Sequence, residues 1–92
     1  MPNLPPIKDF LLTDRARFEM ARRQVSEKEV AQVLAAPEYT ELVRAGRALY
    51  QSRAGDGDKI YLLRVFVDID REPPKVVTVY RTSKIAKYWR SE

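Results

Sequence analysis

The residues best suited to chemistry lie in the last third of the chain. Tyr80 precedes Lys84 by four positions, and Arg64 falls on a neighbouring predicted strand. The sequence of 92 residues contains neither histidine nor cysteine, which removes the usual ligands of zinc and of most transition metals. A histidine base and a cysteine nucleophile are excluded for the same reason. Catalysis would have to use Arg, Lys, Tyr, Ser, Thr or carboxylate side chains, and we expect no metal site and no cofactor.

Positive charge is concentrated in two stretches of the chain. Overall, 17 lysine and arginine residues against 13 acidic residues give a formal net charge of +4. Residues 75–90 contain five basic residues and no acidic one, and residues 15–23 contain four arginines and a single glutamate. Such segregation is expected for a surface that binds a polyanion, and it also occurs on the solvated surface of a small soluble domain. Composition alone leaves both interpretations open.

The length and hydropathy of the chain indicate one domain outside the membrane. A chain of 92 residues is too short to divide into two parts that each bury a core. No apolar run approaches the roughly 20 residues that cross a bilayer, and the first residues lack the pattern of a signal peptide. We therefore expect a cytoplasmic protein with no membrane contact. Residues 1–9, which include three prolines, predict an extended lead-in, and residues 10–92 predict a single domain.

The sequence marks the ends of two consecutive helices. Thr13 is placed to cap a first helix that runs to Arg23, where basic side chains suit the negative end of the helix dipole. Ser26 and Glu29 have the spacing of a capping box, and the flanking valines have the spacing of a hydrophobic staple. Pro37 ends this second helix.

After the second helix the hydropathy period changes to two, which indicates strands. Residues 10–12 form a shorter apolar run that predicts either a brief strand or the entry to the first helix, and residues 84–90 predict a short last helix. The pattern predicts an α+β fold in which two N-terminal helices pack on one face of a three- to four-stranded antiparallel sheet. The predicted strands are Tyr39–Val43, Ala48–Arg53, Lys59–Asp68 and Val76–Thr82.

Alternation along the last two strands assigns their side chains to two faces of the sheet. Arg64 and Tyr80 fall on the same face, together with Phe66 and Thr78. This mixed set is consistent with a solvent-exposed surface, a ligand groove or a partner interface. For Arg64, a functional role and an ordinary exposed position on a strand are equally open. The predicted core on the other face consists of Val30, Val33, Leu34, Leu63, Val65, Val77 and Val79.

Two stretches of the chain resemble the bacterial family of unknown function numbered 4258. The first is Leu12-Thr13-Asp14-Arg15-Ala16 with the capping-box helix at residues 25–34 that follows, and the second is the strand and tail at residues 76–88. The resemblance spans about residues 10–90. The usual histidine of the family falls at Arg15, and an arginine often found four residues later falls at Glu19. If the family histidine is catalytic, this chain has lost that chemistry or replaced it with Arg15.

The family is similar in layout to the small ribonuclease toxins of the RelE and BrnT type. This similarity implies a RelE-like fold, a metal-independent endoribonuclease activity, RNA or the ribosome as target, and an antitoxin protein as partner. In such a site Arg64 would bind phosphate, Tyr80 would transfer a proton and Lys84 would neutralise charge. Further contacts to RNA are implied for Arg15, Arg23, Arg81, Lys87 and Tyr88.

A second function of a different class is compatible with the same residues. The chain would then be a non-enzymatic module whose mixed sheet face binds a protein or a nucleic acid. The arginine at position 15 favours this alternative, whereas the basic tail and the grouping of Arg, Tyr and Lys favour the ribonuclease.

Overall fold

The computed structural model describes residues 4–56 and 58–88, and within them it contains five strands and three helices. The two long predicted helices and the four long predicted strands are confirmed. The predicted last helix is present up to Tyr88, and the remainder of that prediction lies outside the described residues. The elements are β1 (Leu11–Leu12), α1 (Asp14–Arg23), α2 (Glu27–Ala35), β2 (Tyr39–Arg44), β3 (Arg47–Asp56), β4 (Lys59–Asp68), β5 (Lys75–Thr82) and α3 (Ile85–Tyr88).

The five strands form one sheet in the order β1-β5-β4-β3-β2. The strands β2 to β5 are antiparallel neighbours, whereas β1 lies parallel to β5, with Leu11 opposite Lys75. The prediction of a purely antiparallel sheet of three or four strands is therefore wrong, because the sheet is mixed and has five. The difference comes from β1, whose two residues are too few to show an alternating pattern. Its pairing depends on backbone bonds such as Leu11 N–H to Pro74 O at 2.9 Å.

Side-chain caps begin both long helices where the sequence predicts them. The Thr13 hydroxyl accepts a hydrogen bond from the Ala16 amide at 3.0 Å and donates one to the Val77 carbonyl at 3.2 Å, so the same group caps α1 and ties it to β5. In α2 the reciprocal bonds of the capping box are both present, Glu29 N–H to Ser26 Oγ at 3.1 Å and Ser26 N–H to Glu29 Oε1 at 2.9 Å. Each cap satisfies amides that a helix leaves without intrahelical partners.

The main core lies between the helices and one face of the sheet. It joins Ala16 and Met20 of α1 and three residues of α2 to the buried side chains of β3, β4 and β5. Val76 belongs to this core, fully buried, while Val77 does not, so the predicted pairing of Val77 with Val79 on the core face is wrong. The reason is a register shift in the β4–β5 ladder, which pairs Phe66 with Thr78 but Val67 with Val76. The extra residue of such a bulge reverses the alternation on one side of it.

Residues 4–9 lie against the domain and contribute to its core. Ile7 is buried, and its amide donates to the carbonyl of Leu34 at 2.8 Å. The hydroxyl of the buried Tyr50 donates to the carbonyl of Pro5 at 2.6 Å, and burial raises the pKa of Tyr50 above its ordinary value. The lead-in predicted from the prolines is thus attached along its described part.

The β2–β3 connection requires a glycine at its second position. Gly46 has a φ of +81°, and a Cβ placed there would lie 2.6 Å from Oδ2 of Asp70. We expect Gly46→Ala to lower the free energy of unfolding by about 1–2 kcal/mol, because L-residues are disfavoured in this conformation. Gly46→Asn meets the same carboxylate but tolerates the backbone better, so it should cost less in urea denaturation. Equal losses for the two variants would mean that the contact with Asp70, and not the backbone, sets the cost.

Candidate functional site

Four polar or aromatic residues form a row across the face of the sheet opposite the main core, which we call the second face. Tyr39 pairs with Gln51, Gln51 with Arg64, and Arg64 with Tyr80, so that each strand from β2 to β5 contributes one residue. Directly opposite residues in a sheet project to the same face, and adjacent strands are about 4.8 Å apart. The row therefore places the predicted Arg64 and Tyr80 side by side and extends to the far edge strand.

Arg64 is held in the middle of this row by a neutral partner. Its Nε donates to Oε1 of Gln51 at 3.0 Å, and the Gln51 side chain is only 1% exposed. Its guanidinium carbon lies 4.4 Å from the ring centre of Tyr88 and 5.5 Å from that of Phe66. Within the described residues no ion pair joins Arg64 to a carboxylate.

Burial determines the electrostatic state of Arg64. Desolvation lowers the pKa of its guanidinium below the ordinary value of 12.5, while Tyr88, Glu41, Tyr80 and Tyr39 act in the opposite direction. An arginine nevertheless stays protonated at physiological pH. The second face thus carries a half-buried cation whose hydrogen-bond acceptor is an amide. Buried cations in proteins are ordinarily paired with a carboxylate instead.

Tyr80 is surrounded by groups that favour its ionised form. The guanidinium carbon of Arg23 lies 4.5 Å from the ring centre of Tyr80, and the Tyr88 ring meets it edge-on at 5.8 Å. A hydrogen bond with Tyr88 is the largest influence that lowers the pKa of Tyr80 below 10.0, and Thr82, Arg23 and Lys87 act in the same direction against desolvation. Tyr80 therefore has a larger phenolate fraction at neutral pH than an isolated tyrosine.

One face of α1 completes a shallow cavity of about 400 Å³ at the β5 side of the row. Arg15, Glu19 and Arg23 are four positions apart, so they follow one another along the same side of the helix. Glu19 Oε1 accepts from Nε of Arg23 and from Nη1 of Arg22, both at 3.0 Å. Desolvation raises the pKa of Glu19, but the bonds and charges of these two arginines outweigh it and lower the pKa overall. Glu19 is thus an ionised group that fixes Arg23 beside Tyr80.

The structure brings together five of the eight residues predicted for the site. Besides Arg64 and Tyr80, the cavity is lined by Arg15, Arg23 and Tyr88. Lys87 lies next to it, with Nζ 5.5 Å from the ring centre of Tyr88. Lys84 does not line the cavity; it follows β5, where its amide donates to Oγ1 of Thr82 at 3.1 Å.

Arg81 lies on the opposite side of the sheet from Tyr80. Its guanidinium carbon is 4.4 Å from the ring centre of Tyr61, and Nη1 donates to the carbonyl of Gln24 at 3.3 Å. Tyr61 in turn donates to Oε2 of Glu29 at 2.5 Å, which ties α2 to β4. Because side chains alternate along a strand, Arg81 cannot share a ligand with its neighbour Tyr80. Its contacts indicate a structural role.

Sequence reasoning missed the residues that β2 and β3 contribute to the row. Gln51 was not singled out, although the hairpin that joins β3 to β4 and the alternation along β3 would place it opposite Arg64. Glu41 lies on the same face of β2 as Tyr39, and its Oε1 accepts the Tyr39 hydroxyl at 3.0 Å. Neither residue belongs to a motif, so only the pairing of strands reveals them.

The described part of the chain contains no helix that is long and apolar enough to cross a membrane. Residues 4–56 and 58–88 also contain no group of three or more histidine, cysteine, aspartate or glutamate side chains that is arranged to hold a metal ion.

Comparison with known proteins identifies a family. Residues 12–81 match the family model described as a domain of unknown function (DUF4258). The match covers most of the chain, including α1, α2 and the strands up to Arg81, and the chain therefore belongs to this family. No curated protein and no solved structure gives a significant match.

Proposed function

We propose that the protein binds RNA on the second face and cleaves it in the cavity beside α1. The observation that carries this proposal is Arg64, a half-buried cation held by Gln51 and by aromatic rings instead of by an acid. A phosphate would supply a directly bonded anion, which Arg64 lacks among the described residues. Arginine is well suited to this contact because its planar fork donates two parallel hydrogen bonds to phosphate oxygens.

The α1 side of the cavity supplies further positive charge. Arg23 and Arg15 line the same cavity as Arg64, so a phosphodiester bound there would lie among three cations. Such cations stabilise the negative charge that develops on the phosphate oxygens as the 2′-oxygen attacks. The rings of Tyr88 and Phe66, which also line the cavity, are suited to stacking against unpaired bases.

Tyr80 is the proposed proton carrier. Its phenolate accepts the proton of the 2′-hydroxyl, the 2′-oxygen forms a bond to phosphorus, and the bond from phosphorus to the 5′-oxygen breaks. The leaving oxygen takes a proton from water, and the resulting hydroxide takes the proton back from Tyr80. The products are a 2′,3′-cyclic phosphate and a 5′-hydroxyl end, and Tyr80 is again a phenolate. The lowered pKa of Tyr80 supports this role, because a general base works best when its pKa approaches the operating pH.

The biological setting that we propose is a toxin–antitoxin pair. The layout of two helices followed by antiparallel strands is similar to that of RelE- and BrnT-type ribonuclease toxins, and this similarity supports a cytoplasmic toxin held inactive by an antitoxin protein. RNA, free or on the ribosome, would be the target. Arg15 stands where the family usually has histidine, so the proposed mechanism assigns the proton transfer to Tyr80 and leaves Arg15 as a phosphate contact.

Gln51→Glu tests the RNA site directly. A carboxylate at this position would pair with Arg64 and compete with a phosphate for it. Since hydrogen bonds to charged groups contribute about 1.5–3 kcal/mol, we expect RNA affinity to fall about 10- to 100-fold. The measurement is the fluorescence anisotropy of a labelled single-stranded RNA over a range of salt concentrations. Wild-type affinity should fall steeply with salt as counterions are released from the phosphates.

Gln32→Glu is the matched control. Gln32 lies exposed on α2, on the other side of the sheet, and the substitution makes the same change in net charge. Its RNA affinity should stay close to that of the wild type. Equal losses of RNA affinity in the two variants would mean that the change in net charge, and not the pairing with Arg64, weakens binding. A wild type that binds no RNA at low salt would contradict the proposed function.

One observation favours the alternative of a non-enzymatic interaction module. Glu19 places a carboxylate inside the cavity, where it already pairs with Arg23, and this acid competes with a phosphate for that arginine. A partner protein that carries both acidic and basic side chains would be compatible with such a surface. This function would be favoured if the protein binds RNA but does not cleave it. It would also be favoured if the protein neither binds nor cleaves RNA but binds a partner protein.

A further inference from the structure

We propose that Tyr39 and Glu41 form a nucleobase subsite selective for guanine at the β2 end of the second face; this inference rests on the RNA-binding function proposed above. The two residues are two positions apart on β2, so both project to the face that carries Arg64. The Tyr39 side chain is 37% exposed and Glu41 is exposed, which leaves the pair accessible from solvent.

The pair lies near Arg64 on the second face. Tyr39 belongs to the same transverse row as Arg64, and the two are separated by the single strand β3. Two strand spacings amount to about 10 Å between the backbones of β2 and β4, and Glu41 and Tyr39 are near enough to Arg64 to act on the pKa of its guanidinium. A nucleotide whose phosphate contacts Arg64 would therefore extend its base over Gln51 toward β2.

The chemistry of the pair is suited to a base and unsuited to the sugar-phosphate backbone. A carboxylate only accepts hydrogen bonds, so Glu41 repels phosphate but receives the donors of a base edge. The Tyr39 hydroxyl donates to Oε1 of Glu41 at 3.0 Å, which fixes the carboxylate while Oε2 and a further lone pair of Oε1 remain as acceptors.

Guanine is the base that fits such an acceptor pair best. Its Watson–Crick edge presents two adjacent donors, N1–H and the N2 amino group, which match the two oxygens of one carboxylate. Adenine and cytosine each present one amino donor beside an acceptor nitrogen, and uracil presents carbonyl oxygens on both sides of its single N–H. Carboxylate side chains are used in this way to accept from base amino groups.

The test compares four labelled decamers of 2′-O-methyl uridine that differ only in the central base, which is G, A, C or U. The 2′-O-methyl groups prevent cleavage through the 2′-oxygen, so binding is measured alone. We expect the wild type to bind the G-containing decamer about 10-fold or more tightly than the all-U decamer, since two hydrogen bonds to a charged group are gained. Glu41→Gln should abolish this preference while affinity for the all-U decamer stays the same or rises.

Glu27→Gln provides the matched control, because Glu27 is an exposed acid at the first turn of α2 and its removal changes the net charge equally. This variant should keep the guanine preference. Salt-sensitive binding of all four decamers with equal affinity, or a preference for another base, would overturn the guanine subsite and leave the proposed RNA-binding function intact. A wild type that binds none of them at low salt would overturn both.

Discussion

Tyr80→Phe is expected to lower the rate of RNA cleavage by about 10²- to 10⁴-fold, because it removes the hydroxyl that carries the proton in the proposed mechanism. The ring remains, so its contact with Arg23 and its edge-on packing against Tyr88 are retained. Loss of the hydroxyl and of its hydrogen bond with Tyr88 should change the stability of the fold little. The measurement is single-turnover cleavage of a labelled RNA at saturating protein. Expression of the wild type without a partner should arrest growth, and the variant should relieve that arrest.

The pH dependence gives an independent readout of the same group. Since the base is the phenolate, the rate should rise with pH and level off as Tyr80 becomes fully ionised. A hydrogen bond with Tyr88, the Thr82 hydroxyl and the charges of Arg23 and Lys87 lower its pKa, so the midpoint of the rise should lie below pH 10. Arg23→Gln removes one of these charges and should move the pH profile upward.

Tyr61→Phe is the control for the loss of a tyrosine hydroxyl. Tyr61 lies on the other face, where it bonds to Glu29, so its loss should leave cleavage unchanged. Equal cleavage by wild type and Tyr80→Phe would assign the proton transfer to another group. A wild type that neither cleaves RNA nor arrests growth would favour the interaction module. If Arg15→His then cleaves RNA, the missing activity of the wild type is due to the arginine at position 15.

Val33→Asp is expected to lower the free energy of unfolding by about 3 kcal/mol or more, because it places an unpaired charge in the core. Val33 is 4% exposed on α2 and belongs to the cluster that also contains Leu63 and Val65. In a domain of this size, such a loss corresponds to a decrease of more than about 10 °C in Tm. Circular dichroism during heating provides the measurement.

The neighbouring Gln32→Asp is the control for that substitution. It introduces the same residue at an exposed position of the same helix, so it tests helix propensity and charge without the core. Its Tm should stay within a few degrees of the wild type. An unchanged Tm for Val33→Asp would contradict the packing of α2 on the sheet.

The parts of the fold that depend on local rules could be predicted from the sequence. The α2 helix is an example, since a capping box, a staple and a proline mark its two ends within a short stretch. The parallel pairing of β1 with β5 and the bulge at Val77 could not be predicted. The first joins residues more than 60 positions apart, and the second is a shift in register between two strands. A period-two pattern assigns faces correctly only as long as the register continues without interruption.

The same distinction applies to the candidate site. Arg64 and Tyr80 could be placed on one face because each lies in a long, regular strand, and the capped helix α1 brings Arg23 to them. The role of Gln51 depends on a cross-strand neighbour and carries no sequence signal of its own. The resemblance implies an RNA contact for Arg81, whereas the alternation of the strand places Arg81 on the opposite side of the sheet from Tyr80, against Tyr61.

The bulge between Leu42 and Arg44 limits how another chain can extend the sheet. Among the described strands β2 pairs only with β3 and lies at the edge of the sheet, and an edge strand is the position at which a further strand adds to a sheet. The regular part of β2 ends at Leu42, where the bulge and the arginine after it interrupt the spacing of amides and carbonyls. Regular pairing with an added strand would therefore be limited to the first four residues of β2. Four residues are too short a template for identical copies of the chain to stack into fibres.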